Sequence, residues 1–160
     1  MMLKSDSINA NEVNHEIVQW GPKYSVGIKF IDNQHMELVN LTNTLYKACL
    51  SSEVSTEATF KDAIHRMVEY VTMHFSTENT LMESVGFPNY SEHKKQHESL
   101  IKEILSAVKN SQEGNKMVPI YFVRTLREWI FSHIAIYDQI YAQYINAQVK
   151  KGLINKAQLE

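Results

Sequence analysis

Two pairs of metal-binding side chains, each set one helical turn apart, constrain this 160-residue chain more than any other feature. In the stretch HFSTENTLMESVGFPNYSEHKKQH, His74 and Glu78 stand four residues apart, and so do His93 and His97. Gly86 and Pro88 lie between the pairs. Residues at i and i+4 share one face of an α-helix, so each pair aims two donor atoms at one place. Two other segments carry matching side chains: FIDNQHMEL brings His35, and REWIFSHIAIYDQIY brings His133 and Asp138.

The chemistry of this set is selective. Imidazole suits iron, zinc, copper or nickel, and carboxylates that bridge two ions suit iron or manganese. Five imidazoles and two carboxylates are too many donors for one tetrahedral zinc and too rich in nitrogen for calcium or magnesium. Two iron ions sharing the carboxylates fit better.

The apolar pattern around these residues predicts helices. His35, Leu38, Leu41 or Thr42, and Leu45 recur at steps of three and four behind Asp32, which reads as the N-cap of a first helix ending near Leu50. Phe60, Ile64, Met67, Val71, His74, Glu78 and Leu81 keep the same steps through a second helix, from Ser55 or Thr56 to Val85. Gly86 suits its C-terminal cap and Pro88 prevents continuation. Asn89 and Glu92 resemble a capping box for a third helix, with His93, His97, Leu100 or Ile101, Ile104 and Val108 inward. A fourth starts between Asn115 and Pro119 and carries Phe122, Leu126, Trp129 or Ile130, His133, Tyr137 and Ile140. Lys150 and Lys151 before Gly152 suit a helix end. The short connections predict an all-α, up-down-up-down antiparallel four-helix bundle. Residues 1–31 read as a non-helical N-terminal arm packing on the bundle, with the first dozen residues mobile, 32–148 as the bundle and 149–160 as a C-terminal tail.

In such a bundle most of the candidate ligands fall at one end, and His133 joins them if the fourth helix begins beyond the far end. Asp138 fits least well. A step of five turns about 140° around an ideal helix, so either its carboxylate reaches in from the flank or a π-bulge brings it round.

A net charge of −2 offers no footprint for nucleic acid. A single cysteine, Cys49, excludes an internal disulfide. With no secretory signal and no apolar run long enough for a membrane span, the expectation is a cytoplasmic monomer. Helix-favouring residues outnumber three prolines and five glycines, in keeping with an all-α class.

A lone histidine on an apolar stripe is usually a packed core residue. Here all four stripes carry one. Burying the set without a common partner would leave several unpaired polar groups at about 1–3 kcal/mol each, a cost that a shared metal removes. His15, in the polar arm, and His65, one position off its seam, read as solvent-facing. Met67, Met73 and Met82 read as packing.

The ligand-bearing segments, together with Trp20 and YSVGIKFIDNQH, resemble the hemerythrin family in its bacterial single-domain form. The resemblance spans residues 20 to about 141. It implies that His93, His97 and His133 hold one iron and His35 and His74 the other, with Glu78, Asp138 and an oxo or hydroxo group bridging the pair. It implies an open position for dioxygen, hence reversible oxygen binding for storage, delivery or sensing rather than an enzyme. Two ferrous ions, two carboxylates and one hydroxide would leave the site near +1, which an apolar bundle tolerates better than bare ions. Phe75, Trp129, Ile130 and Ile134 are candidates for the wall of a dry pocket, and Tyr141 for a hydrogen bond to a bridging carboxylate. Asn79 stands where the family often has a second Glu, Gln139 where Lys is common, and Ile130 where leucine is. The rivals are a di-iron redox enzyme handling oxygen, peroxide or nitric oxide, and a structural metal module. The Glu-x-x-His spacing of ferritin-like sites occurs only at Glu12 and His15.

Overall fold

The computed structural model describes residues 16–50, 56–112, 118–155, 157 and 159. Among the described residues it holds helices and no strand: α1 (Lys29–Leu50), α2 (Thr56–Ser84), α3 (Tyr90–Gln112), α4 (Val118–Ser132) and α5 (Asp138–Lys150), with one 3-10 turn at Pro22–Tyr24. A π-helical turn, His133–Tyr137, joins α4 to α5 without a break. Helix α1 packs on α2 and α4, and α3 on α2 and α4, closing an up-down-up-down antiparallel bundle. Expectations about the mobility of the first dozen residues, and about Glu12 and His15, lie outside the described residues.

Local sequence explains the helix ends. Gly86 takes φ 64, a left-handed value that L side chains rarely adopt. That conformation lets the Phe87 N–H reach the Met82 carbonyl at 2.9 Å and the Gly86 N–H reach that of Glu83 at 3.1 Å. Phe87 and Met82 also pack in one apolar cluster, completing the motif. At the other terminus, α1 starts at Lys29, three residues before the expected cap. Asp32 therefore sits inside the first turn, and its carboxylate reaches backward instead. It accepts from the Val26 N–H at 2.7 Å, the Gly27 N–H at 3.2 Å and the Ser25 hydroxyl at 2.7 Å.

The segment before α1 lies against the bundle. Val18, Tyr24, Val26 and Ile28 are buried. Buried Asn43 pins it: its amide oxygen accepts from the N–H groups of Ile17 and Val18, and its amide nitrogen donates to the Val18 carbonyl. At the other end of the chain, Leu159 is buried in a cluster with Val26, Ile31, Met82, Phe87 and Tyr141. A second, larger cluster, built around Leu38, Leu45, Met67, Val71, Leu100, Leu126 and Ile130, fills the rest of the bundle.

Helix arithmetic sets the height of the site. His35 lies fifteen residues before the end of α1, His74 eighteen after the start of α2, His97 fifteen before the end of α3, and the π turn begins fifteen after the start of α4. At 1.5 Å per residue these positions stand about 22–27 Å from the same end. The fourth helix thus needs no overhang at that end, contrary to the sequence expectation. Instead it continues past the site as α5.

Candidate metal centre

All five imidazoles and both carboxylates are buried, the most exposed being His93 at 4%. His74 and Glu78 come from the inner face of α2, and His93 and His97 from that of α3. Asp138 arrives by the π turn, whose defining bond runs from the Asp138 N–H to the His133 carbonyl, five residues back. That widened turn brings His133 and Asp138 onto one face, with His133 Nε2 3.1 Å from Asp138 Oδ1.

The donors form two joined groups. In the first, the Nε2 atoms of His93, His97 and His133 make a triangle with edges of 3.1, 2.9 and 3.1 Å. Glu78 Oε2 lies 3.1 Å from the His97 corner, and Asp138 Oδ1 3.3 Å from the His93 corner. The second is His35, His74 and Glu78. His74 Nε2 is 3.5 Å from Glu78 Oε2, and His35 Nε2 is 3.5 Å from Glu78 Oε1 and 3.2 Å from Asp138 Oδ2. Each carboxylate thus touches both groups.

This geometry fits metal and little else. The Nδ1–H of His97 donates to Asn79 Oδ1 at 3.3 Å and that of His133 to Gln96 Oε1 at 3.1 Å. An amide oxygen can only accept, so both rings are protonated at Nδ1 and turn bare Nε2 lone pairs toward each other, a repulsive arrangement without a cation between them. Donors at right angles around an ion with bonds of about 2.1 Å stand about 3.0 Å apart, whereas tetrahedral donors stand about 3.4 Å apart. The triangle's edges match the former. Moreover, of the buried side-chain nitrogen and oxygen atoms without a hydrogen-bond partner among the described residues, all but the Tyr24 hydroxyl belong to His35, His74, Glu78 and Asp138.

Electrostatics point the same way. Burial opposes charge on His35, but Asp138 and Glu78 outweigh it and raise its pKa to about 10. His74 is pushed down to about 4, by burial first and by neighbouring His35, against the pull of Glu78. Burial and mutual repulsion act to raise Glu78 and Asp138, yet the surrounding imidazoles hold both well below the ordinary carboxylate range. The cavity calls for positive charge.

The profile of the hemerythrin HHE cation binding domain matches residues 26–145. The chain belongs to the hemerythrin family. The bacteriohemerythrin of Stenotrophomonas maltophilia (strain R551-3) is 32% identical over 136 residues, covering 84% of this chain and 86% of that protein. That of Methylococcus capsulatus (strain ATCC 33009 / NCIMB 11132 / Bath) is 26% identical over 125 residues, covering 78% and 93%. A crystal structure of wild-type hemerythrin superposes with a TM-score of 0.70 at 23% identity, covering 79% of this chain and 96% of the other. This last likeness speaks to the fold. No described helix is long and apolar enough to cross a membrane.

Around the candidate ligands, Phe75 stacks on His97 at 3.7 Å and 3°, and Trp129 on His133 at 4.1 Å and 13°. Ile130 and Ile134 are fully buried. The Tyr141 hydroxyl donates to Glu78 Oε1 at 2.6 Å. Burial and the two carboxylates push that phenol well above its ordinary pKa, so it stays a donor. His65 faces solvent beside Glu69. Met67 and Met82 are core residues, whereas Met73 is 42% exposed and does not pack in the core as its residue type suggested.

Sequence reasoning missed a ring of amides. Gln34 of α1 accepts from His74 Nδ1–H on α2 at 2.9 Å, Asn79 of α2 from His97 on α3, and Gln96 of α3 from His133 at the end of α4. Each amide neighbours a candidate ligand of its own helix but braces the ligand of the next. The signal was an amide beside His35, Glu78 and His97 in turn. Linear adjacency could not show which histidine each would serve.

Proposed function

We propose that this chain binds dioxygen reversibly at a centre of two iron ions joined by an oxo or hydroxo bridge. His93, His97 and His133 would hold one ion, His35 and His74 the other, and Glu78 and Asp138 would be shared. The observation that supports this most directly is the double contact of Asp138, one oxygen 3.1 Å from His133 and the other 3.2 Å from His35. A carboxylate so placed joins two ions rather than completing the shell of one. Two ferrous ions supply the electrons and the vacant coordination position that dioxygen binding requires.

The chain's own residues account for reversibility. Three imidazoles would serve one ion and two the other, so the His35 and His74 side has fewer protein donors and would be the side open to dioxygen. Tyr141 keeps Glu78 oriented through its 2.6 Å hydrogen bond. Phe75, Trp129, Ile130 and Ile134 would exclude water, which would otherwise help reduced oxygen to leave as peroxide and so leave the centre oxidised.

The test is to purify the protein, count iron per chain and record the visible spectrum through cycles of argon and air. About two irons and a band that appears in air and fades under argon support the carrier. Steady consumption of oxygen or peroxide identifies a redox enzyme instead, and zinc or an unchanging spectrum a structural module.

A further inference from the structure

Met73 does not behave as a core methionine. Its side chain is 42% exposed, while Met67 and Met82 are fully buried. It lies at a solvent-open groove of about 280 Å³ between α1 and α2, lined also by Glu37, Leu41, Arg66, Glu69 and Tyr70. The groove is polar enough to admit a small hydrophilic oxidant. Burial, and then Glu37, push the Tyr70 phenol up to about 12, so it presents a hydroxyl donor there.

The thioether is also wired to the metal centre. Gln34 Nε2 donates to Met73 Sδ at 3.4 Å and to Thr77 Oγ1 at 3.5 Å, while Gln34 Oε1 accepts the His74 Nδ1–H at 2.9 Å. One amide therefore holds a surface sulfur with one end and a buried imidazole with the other. A thioether is a weak acceptor and a sulfoxide oxygen a strong one. Strengthening the bond at one end of an amide polarises it and strengthens the bond at the other.

We propose that Met73 is a peroxide-oxidised modification site whose state is passed through Gln34 to His74. The sulfur lone pair attacks one oxygen of hydrogen peroxide, the O–O bond breaks and an S–O bond forms. The sulfur loses two electrons, the peroxide gains them, and the proton on the transferred oxygen passes through solvent in the groove to the departing hydroxide, leaving a sulfoxide and water. The Met73 sulfoxide then draws on the Gln34 N–H, Gln34 Oε1 grips the His74 N–H more firmly, and Nε2 becomes a better donor. A methionine sulfoxide reductase would reset it. The last link, from His74 to a bound metal, rests on the function proposed above; the oxidation and the relay to His74 do not.

The experiment treats the purified protein, both metal-loaded and metal-free, with low hydrogen peroxide and maps the added oxygen by peptide mass spectrometry. Met73 is expected to oxidise at least about tenfold faster than Met67 or Met82 in both samples. In the metal-free protein, nitrogen-15 NMR is expected to show the His74 Nδ1 proton moving downfield on oxidation. Met73→Leu abolishes that shift, and Gln34→Leu abolishes it while leaving Met73 oxidation intact. Met73 oxidising no faster than the buried methionines overturns the site, and oxidation with the His74 resonance unmoved overturns the relay. Success of both with no iron in the purified protein would sink the carrier reading alone.

Discussion

The two sides of the centre are held differently. On the three-histidine side, His97 and His133 are each fixed twice, by an amide at Nδ1 and by an aromatic ring stacked on the imidazole face. Among the described residues of the two-histidine side only His74 has an amide, and His35 Nδ1 is buried with no hydrogen-bond partner. The ring of amides thus runs from α1 to α4 and does not close. Gln139, which follows Asp138 as Asn79 follows Glu78, donates instead to the Ser25 carbonyl at 2.8 Å. One side is braced at two of its imidazoles, the other at one.

The largest effect is expected where the sides meet. Glu78→Ala removes one of the two carboxylates facing both groups and leaves the buried imidazoles with Asp138 alone as counter-charge, so metal content should fall towards zero. The chain should also lose about 3–5 kcal/mol of stability in urea unfolding. A smaller break separates the sides. His74→Ala should abolish the oxygen-dependent band while the three-histidine side retains metal, whereas exposed His65→Ala should leave band and stability unchanged within about 0.5 kcal/mol. Equal behaviour of these two variants would refute the ligand assignment.

Acidity tests His35 specifically in the metal-free protein. Its folded pKa, about 10, exceeds the ordinary 6.5. Its contribution to stability is therefore fully present below 6.5 and lost as pH rises towards 10. His74 and His97, with lowered values, and the two carboxylates, held low, act in the opposite sense and lose their contributions on acidification. Between pH 6.5 and 9.5 only the His35 slope remains among these groups. Unfolding free energies of metal-free protein from urea titration should fall across that window by at most about 4 kcal/mol, and those of metal-loaded protein by much less. The mildest test is Gln96→Leu, which loosens the braced side and should weaken metal binding about 10- to 100-fold in chelator competition.

The helices were legible because steps of three and four residues run through each stripe, and the candidate ligands because imidazoles on four apolar stripes need a common partner. Asp138 was harder. Its spacing from His133 conflicts with an ideal helix, and the sequence left open whether it reached from the flank or sat on a π-bulge; the bond from its N–H to the His133 carbonyl settles that local question. The start of α1 was misread because Asp32 serves backbone N–H groups ahead of the helix instead of within it. Met73 was read as packing on residue type alone; it stands off the stripe that runs through Val71 and His74, and its side chain is 42% exposed. The amide ring was invisible because every one of its bonds joins two helices.

The π turn has a consequence for how this helix tolerates changes in length. Removing one residue between His133 and Asp138 would restore regular α-helical winding and satisfy the backbone equally well. It would also make His133 and Asp138 an i, i+4 pair on one face of an α-helix, so Asp138, Tyr141 and Gln139 would keep their bearings, whereas regular winding of the undeleted helix would swing them by about 100°. In this last helix the π turn is thus the place where one residue can be lost without turning the residues that follow away from the cavity.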